Sequence, residues 1–175
     1  TGDAMAAGAD TGAAFVLLDA AVVPAGLAAA GLGLERQWRG GPAGMEISPA
    51  SFVAATATGG VRAQLPLSPV HLRAAPDGTG GLAISWVRRA RYGGDDWQQE
   101  DVPLCEAAEE YRIDIAVAGG PVVRSTTAGV PRWTYAAALI AADFGALPAV
   151  LDVTVRQKSA AVGWGIPATR RLATA

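Results

Sequence analysis

Leu82-Ala83-Ile84-Ser85-Trp86 decides the fold of this chain. On a pleated strand, Leu82, Ile84 and Trp86 point to one side, and Ala83 and Ser85 to the other. Gly78-Thr79-Gly80-Gly81 precedes the run as a turn signal. Three large apolar side chains on one face need a facing layer. Two more period-two runs supply it, Tyr111-Ile113-Ile115 and Leu151-Val153-Val155. The chain after Leu65 therefore reads as strands wrapped around Trp86.

Working outward, Val70, Leu72 and Ala74 alternate with His71 and Arg73, which predicts a first strand. The second runs over 82–89, the third over 111–118 and the fourth over 122–127. The fifth covers 132–136, the sixth 149–157 and the seventh 168–172. Residues 137–144 read as one or two helical turns stopped by Gly145. Seven short strands with alternating patterns and turn signals predict an antiparallel sandwich. The connection 90–108 is unusually long and invites a functional question.

The residues before Leu65 read as a small β-rich unit of three or four strands. Residues 14–19 (AFVLLD) predict a buried strand, and Pro24 ends any pairing after Val22-Val23. Residues 26–33 are rich in Ala and Leu, but their glycines favour a short turn over a helix. Residues 34–39 and 51–58 read as two further strands, with Trp38 packing the unit. This core is thin, and the chain lacks an initiator methionine, so we expect a piece of a longer protein. The expected organisation is a β-rich unit over 1–64, completed by an upstream hub domain, a linker at 65–69, and a sandwich over 70–175. Two prolines within Leu65-Pro66-Leu67-Ser68-Pro69 predict the extended linker.

Composition narrows the function classes. The chain has 175 residues, enough for one or two domains, and 51% are hydrophobic, many of them alanine. A net charge of −2 gives no electrostatic footprint for nucleic acid or an anionic membrane. No apolar run has membrane-spanning length, and the start lacks the pattern of a signal peptide. The single cysteine, Cys105, rules out an intrachain disulfide.

Reactive constellations are scarce. One His and one Cys cannot build a histidine–cysteine metal cluster. His71 reads as a solvated strand histidine and Cys105 as a small packed side chain. The glycine-rich turns lack the following helix of a phosphate cradle. Glu106, Glu109, Glu110 and Asp114 show no sign of facing one another across a cleft, so a solvated edge is expected. Arg88, Arg89, Arg91 and the pair Arg170-Arg171 read as edge-protecting strand charges, with an acidic partner surface as the alternative. We expect no catalytic residue, no cofactor and no metal.

The Trp of the second strand, the Tyr opening the third and the V-x-V of the sixth give residues 67–175 a pattern that resembles a fibronectin type III domain. A wider set of motifs covers almost the whole chain. It includes AFVLLD, GPAG at 41–44, LPLSPVHLRA at 65–74, LAISWVRRAR at 82–91 and DDW at 95–97. VPL at 102–104, WTYAAALIAADFG at 133–145 and VTVRQKSAAVGWG at 153–165 complete it. Together these resemble the C-terminal region of the large baseplate, or megatron, proteins of gene transfer agents and siphophage tails. The resemblance implies a virion tail tip, hub assembly as a homotrimer with other baseplate proteins, and domains displayed toward the bacterial surface. Some members of that family carry a TIM-barrel glycosidase-like domain. No (β/α)8 repeat is present here, and the resemblance brings no catalytic residue onto this chain.

Most aromatics sit in strand registers and are expected in the core. Trp97 and Trp164 lie instead in loops rich in Gly or Asp. In the type III plan the loops after strands two and six leave the same pole. Tyr92, Asp95, Asp96, Trp97 and Trp164 are therefore expected as neighbours at one contact site. Three readings stay open: the indoles cap the sandwich, they anchor a protein partner, or they stack on a bacterial surface glycan. The leading expectation is a structural and adhesion module. The alternative is an accessory carbohydrate-binding module of a larger cell-wall-active protein.

Overall fold

The computed structural model describes residues 10–13, 26–48, 50–94 and 101–174. The chain divides into two compact units, Thr1–Gly59 and Gly60–Ala175. In the first unit, strand β1 (Glu35–Gly40) pairs antiparallel with β2 (Val53–Thr58), with Glu35 opposite Thr58. Trp38 is half-buried and the other residues of both strands are exposed. Residues 26–33 contain one short 3-10 turn, Ala29–Gly31, as their glycines suggest. The strand expected over 14–19 lies outside the described residues.

The second unit is an all-β antiparallel sandwich with one helix, of the fibronectin type III-like plan expected. Its strands are β3 (Val70–Pro76), β4 (Leu82–Val87), β5 (Tyr111–Val117) and β6 (Val122–Ala128). After β7 (Arg132–Tyr135) comes helix α1 (Ala137–Phe144), then β8 (Val150–Ser159), a short β9 (Gly163–Trp164) and β10 (Ala168–Ala173). One sheet has the order β3-β4-β7. The other has the order β10-β8-β5-β6, with β9 on the end of β8.

Alternation produces the core. Leu82, Ile84 and Trp86 are buried on β4, while Ala83, Ser85 and Val87 are exposed. They face Tyr111, Ile113 and Ile115 of β5 and Leu151, Val153 and Val155 of β8, all buried. The Trp86 and Tyr111 rings meet edge to face, 5.1 Å between centroids at 73°, a favoured geometry for the ring quadrupoles. At the opposite end, Tyr135 stacks on Trp133 at 5.1 Å and meets Phe144 of α1 edge-on. The Tyr135 hydroxyl donates to Asp143, and Arg124 of β6 holds the same carboxylate, with Nη2 at 2.8 Å. This polar tie joins the helix to both sheets.

The outer face of the larger sheet carries one buried charge. Asp114 is 5% exposed and accepts from Arg112, Ser125 and Arg156. Its desolvation is offset by these partners. Asp152 accepts from both Arg171 Nε and Nη2, at 2.8 and 2.9 Å, and from the Gly119 amide. The Arg171 hydrogen bonds, followed by the Gly119 amide, bring the Asp152 pKa down to about 2.

Two local features depart from the sequence reading. Strand β3 carries a register shift between Val70 and Arg73, and His71 has φ 53. Plain alternation did not show this bulge. Leu72 still points into the core, and Arg170 of β10 reaches its carbonyl at 3.4 Å. The second departure is residues 65–69, expected as a linker. Pro66 and Pro69 are buried, and the Pro66 carbonyl accepts from the Ile166 amide at 3.0 Å. A Cβ on Gly165 would stand 2.6 Å from that carbonyl, so only glycine admits the approach. This segment belongs to the second unit, and the division falls at Gly59/Gly60.

Trp86 is buried between the sheets at the loop end of the core, so Trp86→Ala is expected to cost roughly 3–5 kcal/mol. Thermal melts of the variant and parent check this, and an unchanged midpoint overturns it. Residues 60–175 expressed alone are expected to unfold cooperatively. The shorter piece 70–175, lacking Pro66 and Pro69, is expected to melt lower. Equal midpoints would show that the proline segment adds nothing.

Candidate functional site

The end of β4, the start of β5 and the end of β8 share one pole. Trp86 touches Tyr111, and Tyr111 lies opposite Gln157 in the ladder. The connection 88–110 and the loop 160–167 therefore leave from the same end of the sandwich, as the sequence reading expects. Residues 105–107 and 159–161, with Gln64 and Arg91, border one open cavity there of about 350 Å³.

Two arginines tie the first residues of the long connection to its last ones. Arg88 follows β4 directly, and its side chain is 14% exposed. Its Nε donates to the Val102 carbonyl at 2.8 Å, and Nη1 and Nη2 donate to Glu109 and Asp101. Glu109 also accepts from the Tyr111 hydroxyl at 2.6 Å. Arg91, three residues on, donates to the carbonyls of Gln64 and Cys105 and pairs with Glu106. A guanidinium suits this task because its five donors form a fixed fork. Arg88 and Arg91 thus act as clamps on the connection, a role the edge-charge reading did not give them.

Charge follows this geometry. Burial works against the Arg88 charge, but the Asp101 hydrogen bond and the Asp101 and Glu109 charges outweigh it, and its pKa rises. Burial, then the Glu109 hydrogen bond, pushes the Tyr111 phenol well up, so it remains a donor. The Arg88 hydrogen bond, then the Val102 amide, holds Asp101 below 3.8. Glu106 pairs with Arg91, Glu110 with Lys158, and Glu109 and Asp101 share Arg88. All four are ion-pair partners.

Of the five residues expected at a contact site, two are described. Tyr92 is 67% exposed, and its carbonyl accepts from the Cys105 thiol at 3.3 Å, which sets it beside the cavity wall. Trp164 lies on β9, opposite Lys158, and is half-buried. Lys158 Nζ stands 5.4 Å from the ring centroid while bonding Glu110 at 2.8 and 3.0 Å. A cation over the ring is attractive and fixes the indole. Asp95, Asp96 and Trp97 lie outside the described residues. Cys105, expected as a packed side chain, is half-buried with φ 58, a costly conformation for a residue with a Cβ.

The sequence reading missed Arg88, Arg91, Glu106 and Glu109 as the frame of this pole. A signal was present. Basic residues open the connection, and Asp101, Glu106 and Glu109 close it, a charge arrangement that folds a long loop back on itself.

No family model and no curated protein matches the chain. Among solved structures, it is similar to the solution structure of a fibronectin type III domain derived from human KIAA0970 protein. The TM-score is 0.43 at 15% identity, covering 65% of this chain and 77% of that one.

The clamp sets a pH dependence. The folded pKa of Asp101 lies below its ordinary 3.8, so the unfolded chain binds the proton first as pH falls. The contribution of Asp101 is complete above the unfolded value and is lost as pH drops through the folded one. Its carboxylate is 77% exposed, so solvent screening keeps that contribution small. A carboxyl NMR titration is expected to place Asp101 below 3.8 in the parent and higher in Arg88→Gln. Coincident curves would show that Arg88 does not hold it.

Proposed function

We propose that this chain is a structural and adhesion module of a phage-like tail tip. It presents its loop pole to another baseplate protein or to the bacterial surface. The motif resemblance supplies the setting, which includes a homotrimeric hub in the full-length assembly. The observation that carries the reading is that Arg88 and Arg91 tie the start of the connection to residues 101–109, beside a strongly exposed Tyr92 at a pole bordered by an open cavity. Long loops displayed on a rigid scaffold are where binding residues concentrate. An exposed tyrosine offers a large, stiff contact surface for little ordering entropy.

The second reading, an accessory carbohydrate-binding module, uses the same surface. It is favoured by the exposure of Tyr92 next to the Cys105 segment. Two measurements separate them: incorporation of the chain into tail assemblies, and binding to an array of bacterial surface glycans.

Tyr92→Ala is expected to weaken attachment to the tail partner or the cell by roughly 2 kcal/mol, the scale of a hot-spot truncation. Its melting temperature is expected to match the parent, since an exposed side chain contributes little to the core. Unaltered attachment would remove Tyr92 from the contact surface.

A further inference from the structure

The outer face of the smaller sheet carries charge of one sign. Arg73 of β3 lies opposite Ser85 of β4, and Ser85 lies opposite Arg132 of β7. Residues paired in register share a face, and all three are exposed. The row thus runs arginine, serine, arginine across three strands. Strands lie about 4.8 Å apart, so the two arginine Cα atoms stand about 10 Å from each other across the serine. The rest of the face is small or neutral, with Ala75, Ala83, Val87 and Thr134 exposed on it. None of β3, β4 and β7 contains Asp or Glu.

The larger sheet is arranged differently. On its outer face Arg112 and Arg156 meet Asp114, Lys158 meets Glu110, and Arg171 meets Asp152. Among the described residues, no carboxylate pairs with Arg73 or Arg132. Two like charges in one row repel unless a counter-charge comes from outside the sheet. Beside the row, His71 at φ 53, Arg73, Ser85, Trp86 and Val87 border an open hollow of about 300 Å³ at the register shift of β3. Bulges re-aim side chains and recur next to functional sites.

We propose that this face binds a phosphate group, held between Arg73 and Arg132 over Ser85, with His71 beside it. A cation is repelled here, and an apolar group gains nothing from the row. A carboxylate has two oxygens in one plane, which a single guanidinium fork satisfies. A phosphate presents oxygens in several directions and accepts from both forks and from the serine hydroxyl at once. An acidic protein surface would also need apolar anchors, and this face exposes no Trp, Tyr, Phe or Met. Nucleic acid would need a longer basic stripe and aromatic platforms for its bases. The inference does not depend on reading the loop pole as a contact surface.

The test uses the full chain, 15N-labelled and titrated with inorganic phosphate and separately with acetate, at constant ionic strength and pH. Saturable shifts confined to the amides of residues 71–73, 85–87 and 131–133, given by phosphate and not by acetate, are expected. Arg73→Gln and Arg132→Gln are each expected to weaken the response at least about tenfold, the weight of one charge-assisted contact. Arg36→Gln, at an exposed arginine of β1, is expected to leave it unchanged. Ser85→Glu supplies the row with its own counter-charge. It is expected to abolish the response without lowering the melting temperature, and it keeps the test decisive if an arginine variant fails to fold. Silence with phosphate, an equal response to acetate, or an undiminished response in Ser85→Glu overturns the proposal. Glycerol 3-phosphate and vesicles of phosphatidylcholine with phosphatidylglycerol then tell the sources apart. A response to the first alone supports a soluble or polymer-borne phosphate, and a response to both supports a lipid headgroup as well.

Discussion

The edge-to-face contact of Trp86 with Tyr111 joins the two sheets of the second unit at the end where the long loops emerge. Trp86 brings the apolar face of β4 against β5, and everything inward of it follows by alternation. Leu82 and Ile84 extend that face away from the pole, while Ile113 and Ile115 continue the opposite one. Two large rings at the mouth of the core also close it to water, which raises the electrostatic weight of the polar groups just outside.

Core and loop pole are continuous through that contact. The Tyr111 hydroxyl reaches Glu109, Glu109 meets Arg88, and Arg88 follows β4 two residues after Trp86. The guanidinium that ties the two described ends of the connection is thus anchored to the residue that organises the core. A loop of this length ordinarily has a large ordering entropy to overcome. Here the carbonyls of Val102 and Cys105 and the carboxylates of Asp101, Glu106 and Glu109 meet two arginine forks. The exposure of Tyr92 matters for this reason: the backbone behind it is tethered to the Cys105 thiol. The opposite pole has a simpler arrangement, in which Asp143 gathers Arg124 and Tyr135 around the helix.

Much of the fold was legible in the residues. Strands β3 to β8 and β10 fall within a few residues of the periodicity reading, and helix α1 matches it, because alternation and a glycine stop are local signals, whereas the two-residue β9 lies in what reads as a loop. The bulge at His71 was hidden, since Leu72 stays inward and Arg73 outward on both sides of the register shift. The proline segment misled for a different reason. Two prolines do enforce an extended backbone, but extension says nothing about burial, and Pro66 lies under Gly165. The candidate site was legible only in part. The shared pole of the two loops followed from strand order, and the exposure of Tyr92 from its place in a glycine-rich loop. Trp164 proved half-buried under Lys158, a residue six positions earlier, which only the β8–β9 hairpin brings over the ring.

The sequence by itself determined the all-β class, the inward faces and the shared origin of the two long loops, since each depends on periods of two and on strand order. Tertiary structure alone decided which charges meet. Arg88 is 21 residues from Glu109, and Lys158 is 48 from Glu110. Pairing over such separations depends on sheet register and on how two sheets face, which no local pattern contains. The ion pair of Arg91 and Glu106 exists only because folding carries both ends of one loop to the same place.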